Sequence, residues 1–275
     1  MGHGKLRKFA ENETFPCLLQ PRSEDVLLQG GEGLALKDHP IKGHWNERMF
    51  AKPQPIVLEL GCGKGDYTIA LARRHPQFNY IGVDIKGARL WKGAKYATMN
   101  ALPNVAFLRT RVEFIAAFFA PEEVFRIWLT FSDPQLKSEN SRLTSPVFLE
   151  RYRSFLAPGA AVNLKTDSRF LHEYTRAVAK ANGLRLLAYG TDVYNEGMDF
   201  CEEGFDVSDV TAVQTFYESM FLQMGLPITY LAMKLDREGP FVRPEDFDSD
   251  YWKKAEGPRR TFSHGGKPLP PSPGQ

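Results

Sequence analysis

LELGCGKGDY, residues 58–67, begins as an apolar strand and ends in the first turn of a helix. Between the two stand Gly61, Gly63 and Gly65, which permit a tight turn and let backbone approach a ligand without obstruction from Cβ atoms. The spacing G-x-G-x-G departs from the G-x-G-x-x-G of dinucleotide-binding turns, where a helix N-terminus receives a pyrophosphate. Position 66 is Asp, whose carboxylate repels phosphate, and Glu59 stands upstream of the loop. An acid-flanked glycine loop suits a cofactor that has no phosphate and carries positive charge. S-adenosylmethionine, with its sulfonium and amino groups, is such a cofactor.

Outward from this loop, short apolar runs alternate with helical patterns. IVLEL (56–60), NYIGVDI (79–85), VAFLRT (105–110), VFRIWLTF (124–131), AAVNLKT (160–166), LRLLAYGT (184–191) and PITYLAMKL (227–235) read as strands. DYTIALARR, KGARLWKGAKYATMN, EFIAAFFA, PVFLERYRSFL and SRFLHEYTRAVAKAN read as the helices between them. Strand–helix alternation of this kind predicts an α/β fold: a Rossmann-like, seven-stranded, mostly parallel sheet with helices on both faces. Ligands of such sheets bind beyond the carboxyl ends of the strands, near the point where strand order reverses.

Three segments follow from the composition. Residues 1–54 lack sustained periodicity and read as an amino-terminal arm, wrapped on the core or mobile. Residues 55–238 form the catalytic domain, and 239–275 a basic, Pro/Gly-rich mobile tail. A net charge of +2 over 275 residues is too small to announce a nucleic-acid partner, so any RNA must meet a local basic patch. Lys5, Arg7, Lys8, Lys253, Lys254, Arg259 and Arg260 cluster near the two ends. Cys17, Cys62 and Cys201 are too scattered for a disulfide framework, and no Cys/His spacing suggests a metal. No secretory signal and no apolar run of the ~20 residues needed to span a bilayer is visible, which points to a reducing, cytoplasmic setting and no membrane partner. Monomer and homodimer both stay open.

Asp84 ends the second strand, where an acid accepts hydrogen bonds from ribose hydroxyls; its alternative is to cap the following helix. Arg111 ends the third strand near the expected adenine, with a surface role as its alternative. Asp133-Pro134 lies just past the fourth strand, where the methyl-accepting group belongs.

FSDPQLK around Asp133 resembles the F-P-D-P-W-P-K-K motif of bacterial tRNA (guanine-N7)-methyltransferases. LKTDSRFLHEY, TFYESMFLQMGLPI and KLRKFAENETFP resemble three further stretches of that family, in the same order, so that the likeness spans most of residues 5 to 235. The resemblance implies a class I S-adenosylmethionine-dependent methyltransferase acting on guanine-46 of the tRNA variable loop. By position it implies that Glu59, Gly61, Gly63, Asp84, Arg111 and Asp133 line the cofactor site, with Asp133 also catalytic. Lys137, Asp167, Thr215, Phe216, Tyr217 and Glu218 would hold the guanosine. Each has a simpler alternative: Lys137 as a solvated loop lysine, Asp167 as a helix N-cap, and Thr215-x-x-Glu218 as a capping box. The family's Trp and Pro are Gln135 and Leu136 here, and its basic run shrinks to Lys137 followed by Ser138, Glu139 and Asn140. Fewer cations weaken phosphate attraction at that loop.

Guanine N7 offers an unprotonated in-plane lone pair, so methyl transfer to it requires alignment rather than a general base. Three other readings compete. A small-molecule or protein acceptor fits the altered loop. A nicotinamide oxidoreductase shares Asp84 but is opposed by Asp66 and by the lack of a Tyr-x-x-x-Lys pair. The last is an RNA-binding protein without catalysis.

Overall fold

Ile56–Leu60 is buried at every residue, as a strand covered on both faces must be. Alternation along it sends Ile56, Leu58 and Leu60 into one core layer and Val57 into the other, so Glu59 shares the face of Val57. The computed structural model describes residues 3–28 and 34–257. The chain opens with α1 (His3–Asn12), β1 (Leu18–Leu19) and the single turn α2 (Trp45–Arg48). It then runs β2 (Ile56–Leu60), α3 (Asp66–Arg74), β3 (Asn79–Asp84), α4 (Gly87–Met99) and β4 (Val105–Arg109). Next come β5 (Val124–Thr130), α5 (Pro146–Arg153), β6 (Leu156–Thr166), α6 (Arg169–Ala181), β7 (Leu186–Asp192) and β8 (Gly197–Phe200). The short helices α7 (Ser208–Ala212) and α8 (Phe216–Gln223), β9 (Thr229–Lys234) and α9 (Ser249–Glu256) complete it.

The strands form one sheet in the order β1-β4-β3-β2-β5-β6-β9-β7-β8. β1 through β6 are mutually parallel, and β9 enters antiparallel between β6 and β7. The order reverses at β2, so a crevice opens beyond the carboxyl ends of β2 and β5. The sheet has nine strands among the described residues, not seven. The two additions, β1 and β8, are edge strands of two and four residues, too short to show a period of their own. EFIAAFFA also differs from expectation: Val112–Ala117 winds as a 3-10 helix that buries Phe114, Ile115 and Ala117.

The described parts of both flanking segments pack on the domain. On α1, Asn12 is buried and its side-chain amide donates to Gly87 O (2.9 Å), while Trp91 Nε1 of α4 donates to Glu11 (2.7 Å). Trp45 is fully buried, donates to Phe118 O (2.8 Å) and stacks on Phe119. From residue 239 the chain is not a free tail: Phe247 packs edge-on against Phe170 and Tyr174, and Glu256 accepts a hydrogen bond from Phe170 N (2.9 Å). Buried aromatic area fastens this stretch despite its loop-like composition. The remainder of the expected mobile tail, residues 258–275 with Arg259 and Arg260, lies outside the described residues.

Phe107 of β4 sets the tightest packing. A Cβ built on Gly65, Gly82 or Gly93 would come within 2.5, 2.8 and 2.6 Å of its ring. These glycines belong to the loop after β2, to β3 and to α4. Gly93→Ala should therefore destabilise the protein by roughly 1–3 kcal/mol, although alanine is the better helix former. Urea denaturation measures this; a neutral or stabilising change would contradict the packing.

Candidate active site

The glycine loop leaves β2 with Gly61 and Cys62 both donating backbone N–H groups to Val83 O, at 2.8 and 3.0 Å. Gly61 and Gly63 have φ of +80° and +59°, and a Cβ on either would meet nothing within 4 Å. Backbone conformation, together with open space above it, explains glycine at both positions. Asp84 lies behind the loop and is buried; Gly63 N donates to its Oδ2 (3.0 Å) and Lys86 N to its Oδ1 (2.7 Å). One carboxylate thus ties the loop to the turn that starts α4.

Glu59 is 4% exposed, and its oxygens are engaged by hydroxyl donation from Thr130 and by the backbone N–H (2.8 Å) and hydroxyl of Thr68. Burial pushes its pKa up to about 7, and the threonine bonds oppose that rise. Glu59 therefore has the internal partners that a strand-end acid needs, and it still borders the cleft.

The cleft encloses about 690 Å³. The glycine loop and Asp66 form one side, and Thr130 and Phe131 continue it past β5. Asp167 and Arg169 stand at the start of α6; Thr215, Tyr217 and Phe221 close the opposite wall, and Ala255, Glu256 and Gly257 reach the rim. Ser168, not Asp167, caps α6: its hydroxyl accepts from Leu171 N at 3.0 Å. Asp66 pairs with Lys92 at 2.9 Å.

Of the residues expected at the site, Glu59, Gly61, Gly63, Asp167, Thr215 and Tyr217 line this space. Asp133 and Lys137 are exposed on the adjoining loop after β5, where Gln135 N donates to Asp133 Oδ1 at 2.9 Å. Phe216 is 56% exposed and lies outside the cleft, in edge contact with Tyr217; Lys64 Nζ stands 5.3 Å from the Tyr217 ring centre. Arg111 lies elsewhere on the surface. It precedes the 3-10 helix, pairs with Glu113 at 3.1 Å and lies over Phe114, and it is not among the residues that line the cleft.

Glu218 is fully buried below the cleft wall. It completes the capping box, accepting from Thr215 N at 3.1 Å while Thr215 Oγ1 accepts from Glu218 N at 3.2 Å. Its other oxygen meets Lys165 Nζ at 2.6 Å and the Tyr194 hydroxyl at 2.8 Å. Lys165 is also fully buried and donates to Val213 O (2.9 Å). Burial pushes the Lys165 ammonium below its ordinary pKa, and Glu218 opposes that shift. Sequence reasoning missed Lys165 and Tyr194. The one signal was a lysine inside the otherwise apolar run AAVNLKT.

A doubly wound sheet whose reversal point carries an acid-flanked glycine loop above an open cleft defines a methyltransferase-type domain. Residues 53–199 match the family model described as "Putative methyltransferase". The chain is 45% identical over 233 residues to the tRNA (guanine-N(7)-)-methyltransferase of Christiangramia forsetii, covering 84% of this chain and 97% of that one. Against the enzyme of the same name from Bacteroides thetaiotaomicron it is 42% identical over 248 residues, 89% and 91% of the two chains. It belongs to the tRNA (guanine-N(7)-)-methyltransferase family. The crystal structure of the 16S rRNA methyltransferase KamB shares the fold, with a TM-score of 0.50 at 15% identity over 76% of this chain and 97% of that one. Among the described residues, no helix is long and apolar enough to cross a membrane, and no group of three or more His, Cys, Asp or Glu is placed to hold a metal.

Two outcomes follow from the buried charges. Glu218→Gln leaves Lys165 buried without its counter-charge and should cost roughly 3 kcal/mol. Thr215→Ala, which removes only a cap, should cost about 1 kcal/mol. Equal denaturation midpoints for the two variants would reduce Glu218 to a capping role. For Glu59, a native pKa of about 7 against an ordinary 4.5 means that its contribution to stability is greatest below pH 4.5 and is lost as pH rises through 7. Relative to wild type, Glu59→Gln should therefore gain about 3 kcal/mol between pH 4.5 and pH 8. A pH-independent difference in unfolding free energy would show that burial does not raise the Glu59 pKa.

Proposed function

We propose that this protein transfers a methyl group from S-adenosylmethionine to N7 of a guanine in tRNA, guanine-46 of the variable loop. The carrying observation is one cleft bordered by the acid-flanked glycine loop on one side and by Asp167, Thr215 and Tyr217 on the other. The residues fit the cofactor: the space above Gly61 and Gly63 is open, Glu59 and Asp66 line the cleft where a phosphate would be repelled, and Asp84 lies directly behind the glycine loop. When bound, S-adenosylmethionine supplies an electrophilic methyl group.

The chain's own residues then hold and align. Asp84 presents its carboxylate beside the glycine loop, at the place for ribose hydroxyls. Asp167 matches the N1–H and N2–H donors on the Watson–Crick edge of guanine, whereas adenine would set a lone pair against it. Asp133 stabilises the positive charge that the purine gains as N7 is methylated. Because N7 carries no proton, no base is needed, and rate derives from proximity, worth up to ~7–11 kcal/mol.

The deciding experiment incubates the protein with labelled S-adenosylmethionine and unmodified tRNA, digests the RNA and identifies the methylated nucleoside. N7-methylguanosine is expected. A second reading, a small-molecule or protein acceptor, is favoured by Gln135 and Leu136 and by the sparse cations after them; methyl transfer without any need for tRNA would establish it. Asp84→Ala should weaken cofactor binding by roughly 1–3 kcal/mol through lost hydrogen bonds. Calorimetry that finds an unchanged Kd would leave Asp84 as a loop tie alone.

A further inference from the structure

The loop after β5 is bent into a shape that its own residues disfavour. Phe131 and Gln135, neither of them glycine, have φ of +50° and +48° and bracket Ser132, Asp133 and Pro134. Such conformations persist only where the surroundings impose them. Phe131 is held from the β6 side, its N–H donating to Lys165 O at 2.9 Å. The other half of the bend is held by a side chain that plays no part in the function proposed above.

That side chain is Arg142, 4% exposed. Its Nε donates to Pro134 O at 3.3 Å, the carbonyl next to Asp133. Its guanidinium carbon lies 4.7 Å from the centre of the Phe170 ring and 4.3 Å from that of Tyr174, both on α6. The Tyr174 hydroxyl donates to Glu139 of the same loop at 2.9 Å, and Arg243 donates to Asn140 at 2.9 Å. Arg142 thus links the carbonyl beside Asp133 to the rigid face of a 13-residue helix. An apolar side chain of equal volume could fill the space between the two rings without the desolvation of a cation. What it could not supply is a planar donor fixed by aromatic faces and aimed at Pro134 O.

We propose that Arg142 is a positioning residue that sets the Asp133 carboxylate toward the reacting guanine. The inference rests on the reading of Asp133 given above. It goes beyond that reading by assigning the loop's geometry to one buried guanidinium.

The test is a double-mutant cycle of Arg142→Lys with Asp133→Asn, read as single-turnover methylation of tRNA with labelled cofactor, beside the thermal midpoint of each protein. In the wild-type background Arg142→Lys should slow methylation about ten- to hundredfold, the scale of a misplacement near 1 Å. In the Asp133→Asn background the same change should alter the rate by less than about twofold, since the group being positioned is gone. Arg142→Met, which removes the charge, should behave as Arg142→Lys does; if it fails to fold, the lysine variant, which keeps charge and stem, carries the test. Equal losses in both backgrounds, with a lowered midpoint, would make Arg142 merely structural and overturn the inference, as would wild-type rates for Arg142→Lys. A wild-type protein that methylates no guanine in tRNA would overturn the underlying reading, and the inference with it.

Discussion

The ring of Phe107 is the constraint around which the cofactor side is organised. It sits where the loop after β2, the strand β3 and the helix α4 converge, and each meets it with a glycine. Removing three β-carbons lets α4 come close enough for Lys64 O to lie 2.8 Å from where a Cβ on Gly93 would stand. The loop is thereby pressed between sheet and helix, and its exposed turn at Gly61–Gly63 faces outward with no side chain above it. Interiors packed this densely transmit small displacements instead of absorbing them. The position of the glycine loop is therefore a property of the packed core, and Asp84 secures it with two backbone hydrogen bonds.

The wall opposite is organised by charge. Lys165 and Glu218 are both removed from water, a costly arrangement unless every donor and acceptor is satisfied. Here Val213 O accepts from Lys165, and the Tyr194 hydroxyl and Thr215 N donate to Glu218. The result is a short, otherwise weakly packed helix, α8, pinned to the end of β6 at a defined height. Tyr217 and Phe221 then face the cleft from a fixed platform. Capping and ion pairing act through the same carboxylate.

The parallel strands and the glycine loop were legible because each rests on a local pattern: continuous apolar runs, a shift from strand to helix periodicity, and glycines at fixed intervals. The edge strands β1 and β8 were not, because pairing of two to four residues is decided by a neighbour distant in sequence. Of the cleft-lining residues, Glu59, Asp167 and Thr215 could be placed by strand ends and helix starts. Where the Arg111 side chain lies could not, since the guanidinium is long and its partner Glu113 stands within the same turn. Lys165 and Arg142 escaped notice for one reason. A buried cation is identified by the partners that surround it, and those come from α6, α7–α8 and the loops between them, remote in sequence.

The insertion of β9 between β6 and β7 has a consequence for how the chain reaches its fold. β9 is last among the described strands, yet it occupies an interior place in the sheet. Until it arrives, β6 and β7 present open edges, and the hairpin of β7 and β8 has no seat. Unpaired strand edges invite pairing with other chains. The sheet is therefore complete only once β9 has docked, which also seats the β7–β8 hairpin. The wall formed by Thr215, Tyr217 and Phe221 immediately precedes β9, so its seating depends on the same docking. A chain in which β9 is undocked would hold half a cleft and two open strand edges.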